Sequence, residues 1–223
     1  NLVIEKDRYP IDGNTREDFN HTKLAPRFGL RYALTAEAQA FANYTRSYDP
    51  EQDWNYFTTN QQKVGDATIT NRYIKHQVPQ EADTFEIGVK GRASIFDGSL
   101  ALYRANIRKE LLTVQLLTAG WDGNAGTPAF STSFNSPTPT VHQGVEVGLN
   151  TRLWEGKKGN GLVFNQSYTF NDFHYRDDPT YGSNALPGQP KHIYNGELQL
   201  QLAGFYVGPN VRAVSRLPVD YAI

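Results

Sequence analysis

The stretch Glu197-Leu198-Gln199-Leu200-Gln201-Leu202 puts a leucine at every second position and a polar side chain between each pair. Successive side chains of an extended chain point to opposite faces, so this is a strand with one apolar and one polar face. The same period recurs along the chain. Phe28, Leu30, Tyr32 and Leu34 alternate with Arg27, Gly29, Arg31 and Ala33; Phe85, Ile87 and Val89 with Glu86, Gly88, Lys90 and Arg92; Val145, Val147 and Leu149 with Glu146, Gly148, Asn150 and Arg152. Less regular strands are expected at 39–48, 100–112, 162–175 and 206–216, with a first strand at 2–6. Helical spacing is not sustained anywhere.

The connections are of two kinds. Short turns are expected at 35–37, 95–98 (with Asp97-Gly98 at the hairpin position), 154–161 and 203–205. Long polar connections rich in Gly, Pro, Asn and aromatic residues fall at 7–22, 50–82, 118–137 and 177–189. Loops beyond about 12 to 15 residues are uncommon in compact soluble domains. A transmembrane β-barrel, by contrast, puts short turns at one rim and long recognition loops at the other.

The 223 residues carry 22 Lys+Arg and 23 Asp+Glu, a net charge of −1, and no basic block marks a nucleic-acid footprint. With no Cys, disulfides, thiolate metal sites and cysteine nucleophiles are excluded. No run approaches the about 18 apolar residues of a transmembrane helix. The 39% hydrophobic content is low, while 13% aromatics is high, with 13 Tyr and 12 Phe. Barrel strands, apolar only at alternate positions, account for both values. With no Met, and opening on Leu2-Val3-Ile4, the chain is expected to be a processed or internal piece of a longer protein.

Leu24-Ala25-Pro26-Arg27-Phe28-Gly29-Leu30-Arg31-Tyr32, followed by Phe41-Ala42-Asn43-Tyr44-Thr45-Arg46-Ser47-Tyr48, resembles a hairpin of the TonB-dependent outer-membrane receptors. Phe85-Glu86-Ile87-Gly88-Val89-Lys90-Gly91 with Leu100-Ala101-Leu102-Tyr103 continues the resemblance, as do His142-Gln143-Gly144-Val145-Glu146-Val147-Gly148-Leu149 and Ser167-Tyr168-Thr169-Phe170. It closes with Leu186-Pro187-Gly188-Gln189-Pro190-Lys191-His192 and Leu217-Pro218-Val219-Asp220-Tyr221. The order and spacing cover nearly the whole chain and match the latter part of that family's barrel. The resemblance implies an all-β antiparallel transmembrane barrel in the outer membrane, of which the chain supplies about nine of about 22 strands. The family's plug and energy-coupling box are not found in this sequence.

Under the resemblance the protein imports a scarce bulky ligand, foremost a ferric siderophore, otherwise another metal chelate. Its energy comes from the inner membrane through TonB, acting on the plug. It is expected to be no enzyme, to need no cofactor or resident metal, and to contact outer-membrane lipid and lipopolysaccharide. A site for such a ligand needs rings and a few polar groups in a concavity. Trp54, Tyr56, Tyr73 and His76 in the longest loop, Trp121 and Phe130 in another, and Tyr175, Arg176 and Tyr181 near a third are the candidates. Loop packing or a place in the interfacial girdle is the default role of any one of them.

Glu86, Lys90, Arg92, His142, Glu146 and Arg152 lie on polar faces and are expected to line the lumen, as are Glu197 and Gln199. His142 and Glu146 are four apart, but on a strand that spacing only places both on one face. Asp172, His174 and Asp177-Asp178, and Asp122-Gly123-Asn124, are read as turns rather than cation sites. No nucleophile-base arrangement and no phosphate loop is present. Two alternatives stay open: a soluble all-β carbohydrate-binding sandwich, which would bury the alternating Leu, Val and Phe residues, and a passive outer-membrane channel.

Overall fold

A computed structural model describes residues 22–50, 56–64, 67–75, 77–117 and 128–219, so the expected strand at 2–6 lies outside the described residues. Among the described residues thirteen strands follow one another: β1 (Arg27–Ala33), β2 (Ala38–Asp49), β3 (Tyr56–Val64), β4 (Ala67–Lys75), β5 (Gln80–Ala93), β6 (Phe96–Arg108), β7 (Leu111–Leu117), β8 (Pro128–Asn135), β9 (Thr140–Glu155), β10 (Gly161–Tyr175), β11 (His192–Leu202), β12 (Phe205–Val207) and β13 (Asn210–Val214). Among the described residues the helical content is one 3-10 turn, Lys157–Gly159.

One compact unit is a nine-stranded sheet in the order β1-β2-β5-β6-β9-β10-β11-β12, with β13 also pairing β11. Strands next to each other in sequence pair by short turns. The β11–β12 turn is Ala203-Gly204, both at positive φ (49° and 87°), the geometry that matches hairpin twist. The β5–β6 turn is Ser94-Ile95, not Asp97-Gly98: those two lie inside β6, opposite Asn150 and Leu149. Ser94 takes the left-handed conformation instead (φ 50°). The long connections β2 to β5, β6 to β9 and β10 to β11 all leave from the opposite end of this sheet.

The second unit holds two hairpins, β3–β4 and β7–β8, of which β3, β4 and β8 lie within stretches expected to be irregular loops. The expected strand at 100–112 is two strands, because Lys109 at φ 57° interrupts it between β6 and β7. Asn135 ties the hairpin bases together. Its amide nitrogen donates to the carbonyls of Val78 (2.8 Å) and Lys109 (2.7 Å), and its oxygen accepts from the Val78 N–H (2.8 Å).

Among the described residues, the side chains on the apolar face of the nine-stranded sheet are mostly exposed. Phe28 is 67% exposed, Leu30 69%, Ile87 56% and Leu102 46%. Among the described residues the buried apolar side chains are Ala101, Ile107, Leu112, Val141, Tyr175 and Leu186. A sandwich would have buried the alternating set, since about 25 cal/mol is lost for each Å² of apolar surface left in water. Acyl chains are the solvent such a face requires.

Candidate functional site

Cross-strand registers assign every residue of β6, β9, β10 and β11 to a face and a level. On the polar face one row toward the short turns is Asp97, Asn150, Asn165, Glu197 and Asn210, one from each of five adjacent strands. Next come Ser99, Gly148, Ser167, Asn195 and Arg212, then Ala101, Glu146, Thr169, Ile193 and Val214. Asn195 donates to Ser167 Oγ at 3.1 Å, and Glu197 accepts from Gln199 (2.8 Å) and from the Tyr206 hydroxyl. These amides and hydroxyls line an open cleft of about 530 Å³.

The rows nearer the long connections differ. They run Tyr103, Gly144, Asn171; then Ala105, His142, Phe173; then Ile107, Thr140, Tyr175. None carries a carboxylate, lysine or arginine. The imidazole of His142 lies flat on Phe173, with centroids 4.1 Å apart and 8° between planes. The Tyr103 hydroxyl donates to Asn171 Oδ1 at 2.7 Å, and Asn171 Nδ2 donates to the Pro190 carbonyl at 3.2 Å. Gly144 makes room for the Tyr103 ring, because a Cβ there would stand 2.6 Å from its hydroxyl oxygen. The wall thus passes from a charged, amide-rich level to a neutral one of stacked rings. The latter suits a large, partly aromatic guest.

The connection after β10 folds back over the end of that strand. Leu186 N–H donates to the Phe173 carbonyl (2.8 Å) and Tyr175 N–H to Asn184 (3.0 Å), which buries Leu186. Asp178 holds the turn: it accepts from the Thr138 hydroxyl (2.5 Å) and from the N–H groups of Thr180 (2.8 Å) and Tyr181 (2.9 Å). The Thr138 hydroxyl bond, then the Tyr181 N–H, hold its carboxyl below the ordinary range, against the opposing effect of desolvation.

Of the expected loop residues, Tyr175 closes β10 at 2% exposure with its ring stacked on Tyr181 at 5.1 Å, so both rings support loop packing. Arg176 is exposed in the same loop. Tyr56, Tyr73 and Phe130 fall on β3, β4 and β8 rather than on irregular loop, while Trp54, His76 and Trp121 lie outside the described residues. Glu86 accepts from Asn43 Nδ2 (3.0 Å), and Lys90 and Arg92 border a cleft of about 490 Å³ with Glu37 and Asp97 near the short turns. Arg152 donates to the Ser94 carbonyl at 2.9 Å. His142 and Glu146 share the polar face two rows apart. Tyr103, Asn171 and Phe173 were not among the expected site residues, although parity with Leu100 and Leu102 already sets Tyr103 opposite the apolar face.

A family profile described as TonB dependent receptor-like, beta-barrel, matches residues 5–220. Among solved structures, the alcaligin outer-membrane receptor FauA of Bordetella pertussis superposes with a TM-score of 0.53 at 16% identity, covering 87% of this chain and 30% of that one. The ferric-catecholate import receptor Fiu of E. coli K12 in its closed form gives 0.52 at 20% identity, covering 85% and 25%. The chain therefore spans about a quarter to a third of those receptors. No curated protein sequence matches significantly. The alternation, the lipid-demanding face, the single rim of long connections and the profile agree: this chain belongs to the TonB-dependent receptor β-barrel family, in the outer membrane.

Proposed function

We propose that the protein of which this chain forms a part is an outer-membrane active transporter. It binds a scarce bulky ligand, a ferric siderophore or another metal chelate, and imports it with energy delivered through TonB to a plug. The observation that carries this reading is the graded polar face. Its neutral aromatic level, Tyr103, Asn171, His142 and Phe173, lies on the side from which the long connections leave. A ligand arriving there meets ring faces and a few hydrogen-bonding groups, then passes an amide- and charge-lined wall on which no single contact is strong enough to trap it. In this reading Glu86, Lys90, Arg92, His142, Glu146 and Arg152 line the lumen, and Trp54, Tyr56, Tyr73, His76, Trp121, Phe130 and Arg176 serve the outer loops.

The test is growth and radiolabelled uptake under iron starvation, with and without the intact gene, across a panel of iron chelates. Growth on one chelate should depend on the gene. His142→Ala and Phe173→Ala should each weaken its binding about two- to tenfold, the value of one aromatic contact. Trp54→Ala or Tyr73→Ala should lower uptake without harming insertion. Gene-independent growth on every chelate refutes the transport reading; unchanged affinity in all four variants refutes the ligand site.

A further inference from the structure

The neutral row Tyr103, Gly144, Asn171 does not stop at β10. Asn171 N–H donates to the Lys191 carbonyl at 2.8 Å, which sets Lys191 opposite Asn171, one residue ahead of β11. On the other side of β11, Ile193 pairs Val214, and just past the end of β13 Ser215 N–H donates to the His192 carbonyl at 2.9 Å. His192 N–H in turn donates to Ser215 Oγ at 3.0 Å, and Gly188 N–H donates to the Pro218 carbonyl at 2.8 Å. The two segments run side by side, and the next step of this register brings Arg216 opposite Lys191. Lys191 is two residues before Ile193 and Arg216 two after Val214, so alternation places both on the polar face, in the row of Asn171.

Both residues are exposed, and among the described residues neither forms an ion pair. Glu146 shares their face but stands two strands away and one row lower, about 12 Å off at about 4.8 Å per strand and about 3.3 Å per residue. Like charges directly opposite across an antiparallel pair repel. Two cations held in this way, with no carboxylate between them, are relieved by a bound anion.

We propose that Lys191 and Arg216 form the anion-binding part of the ligand site, so that the imported chelate is net negative, with phenolate or carboxylate oxygens on its surface, rather than an uncharged hydroxamate complex. The inference rests on the transport reading and narrows its ligand class. Rings of the guest lie on the level of His142 and Phe173, and its charged edge meets the two cations on the adjoining segments. The guanidinium offers a fork of donors to a pair of oxygens, and the ammonium a compact charge. Tyr103 donates to Asn171 and Asn171 to the Pro190 carbonyl, so the neutral part of the row has little left to give an anion. Selection by charge falls to Lys191 and Arg216.

The experiment uses the intact receptor, purified in detergent, and measures binding of an iron tricatecholate, of iron citrate and of an uncharged iron trihydroxamate. One of the two anionic complexes should bind most tightly, and more weakly as salt is raised. Lys191→Gln and Arg216→Gln should each lower its affinity about threefold and the double variant about tenfold, the value of exposed charge pairs. Affinity for the trihydroxamate should not move. Lys191→Arg keeps the charge and should bind as wild type does, which separates charge from packing; Lys157→Gln, a charge removed near the short turns, should also change nothing. Tightest binding of the trihydroxamate, equal losses for charged and uncharged complexes, or an equal loss in Lys157→Gln each overturns the proposal. Gene-dependent uptake of the uncharged complex alone overturns this anion site and leaves the transport reading standing, whereas gene-independent growth on every chelate removes the transport reading itself.

Discussion

Gly144 and Gly148 sit on one strand and one face, four residues apart, yet an added methyl group should have opposite effects. At Gly144 an ideal Cβ would stand 2.1 Å from the Phe170 carbonyl oxygen and 2.8 Å from Tyr103 Cζ. The carbonyl belongs to the neighbouring strand β10 and cannot retreat the required distance, about 1.3 Å to reach ordinary contact, without opening the β9–β10 pairing. Overpacking of this kind costs about 1–3 kcal/mol, against about 0.4–1 kcal/mol gained by stiffening the unfolded chain. Gly144→Ala is therefore expected to destabilise by about 1–2 kcal/mol and to push Tyr103 out of the aromatic level. At Gly148 the nearest atom is Ser99 Oγ at 3.2 Å, the end of a side chain that can rotate away. Gly148→Ala should thus be neutral or slightly stabilising. Urea unfolding of the intact receptor in detergent, read by the gel-mobility difference between folded and unfolded barrel, measures both. A Gly144→Ala barrel as stable as Gly148→Ala refutes the steric argument.

Two further outcomes concern the segments beyond the sheet. Because the Asp178 carboxyl is depressed in the folded loop, its contribution is complete above the unfolded value of about 3.9 and is lost as pH falls through the lower folded one. Hydrogen-exchange protection of the Thr180 and Tyr181 amides, corrected for intrinsic rate, should drop in that acid range and become pH-independent in Asp178→Asn; flat protection in the wild type would disprove the link. Asn135→Ala removes three hydrogen bonds at the hairpin bases and should cost that unit about 1–3 kcal/mol. Faster protease cleavage near residues 77–80 and 109–111 is the expected readout, and an unchanged cleavage rate would count against it.

The strands that alternation made visible are those with one apolar face: β1, β5, β9 and β11. β7 and β8 also alternate, Leu112, Val114 and Leu116 against Thr113 and Gln115, and Phe130 and Phe134 against Ser131 and Ser133, but this short period is obscured by the Gly- and Asn-rich connection between them. β3 was hidden because Tyr-Phe-Thr-Thr-Asn-Gln-Gln-Lys-Val shows no period of two. A strand polar on both faces leaves no such trace. The break between β6 and β7 and the place of the β5–β6 turn were equally silent, since Lys109 and Ser94, respectively, adopt positive φ without being Gly or Asn. The identity of the wall residues as polar-facing could be read from parity, but not their company. His142 meets Phe173 and Tyr103 meets Asn171 only through registers spanning 31 and 68 positions. Those registers include a shift at Leu162/Val163, which resets the phase along β10.

The sequence by itself therefore determined which face of each strand is oily, that the oily residues sit only at alternate positions, and which ends carry the long connections. All three follow from the order of side chains along an extended chain. That no dry core takes up those faces was shown by their exposure in the structure. Which rows form across strands, and so where rings stack over Gly144 and where Arg104 meets Gln143 beside Leu102, was decided by tertiary structure alone. Hydrogen-bond register is set by turn geometry and bulges, and a slip of one residue would exchange every face.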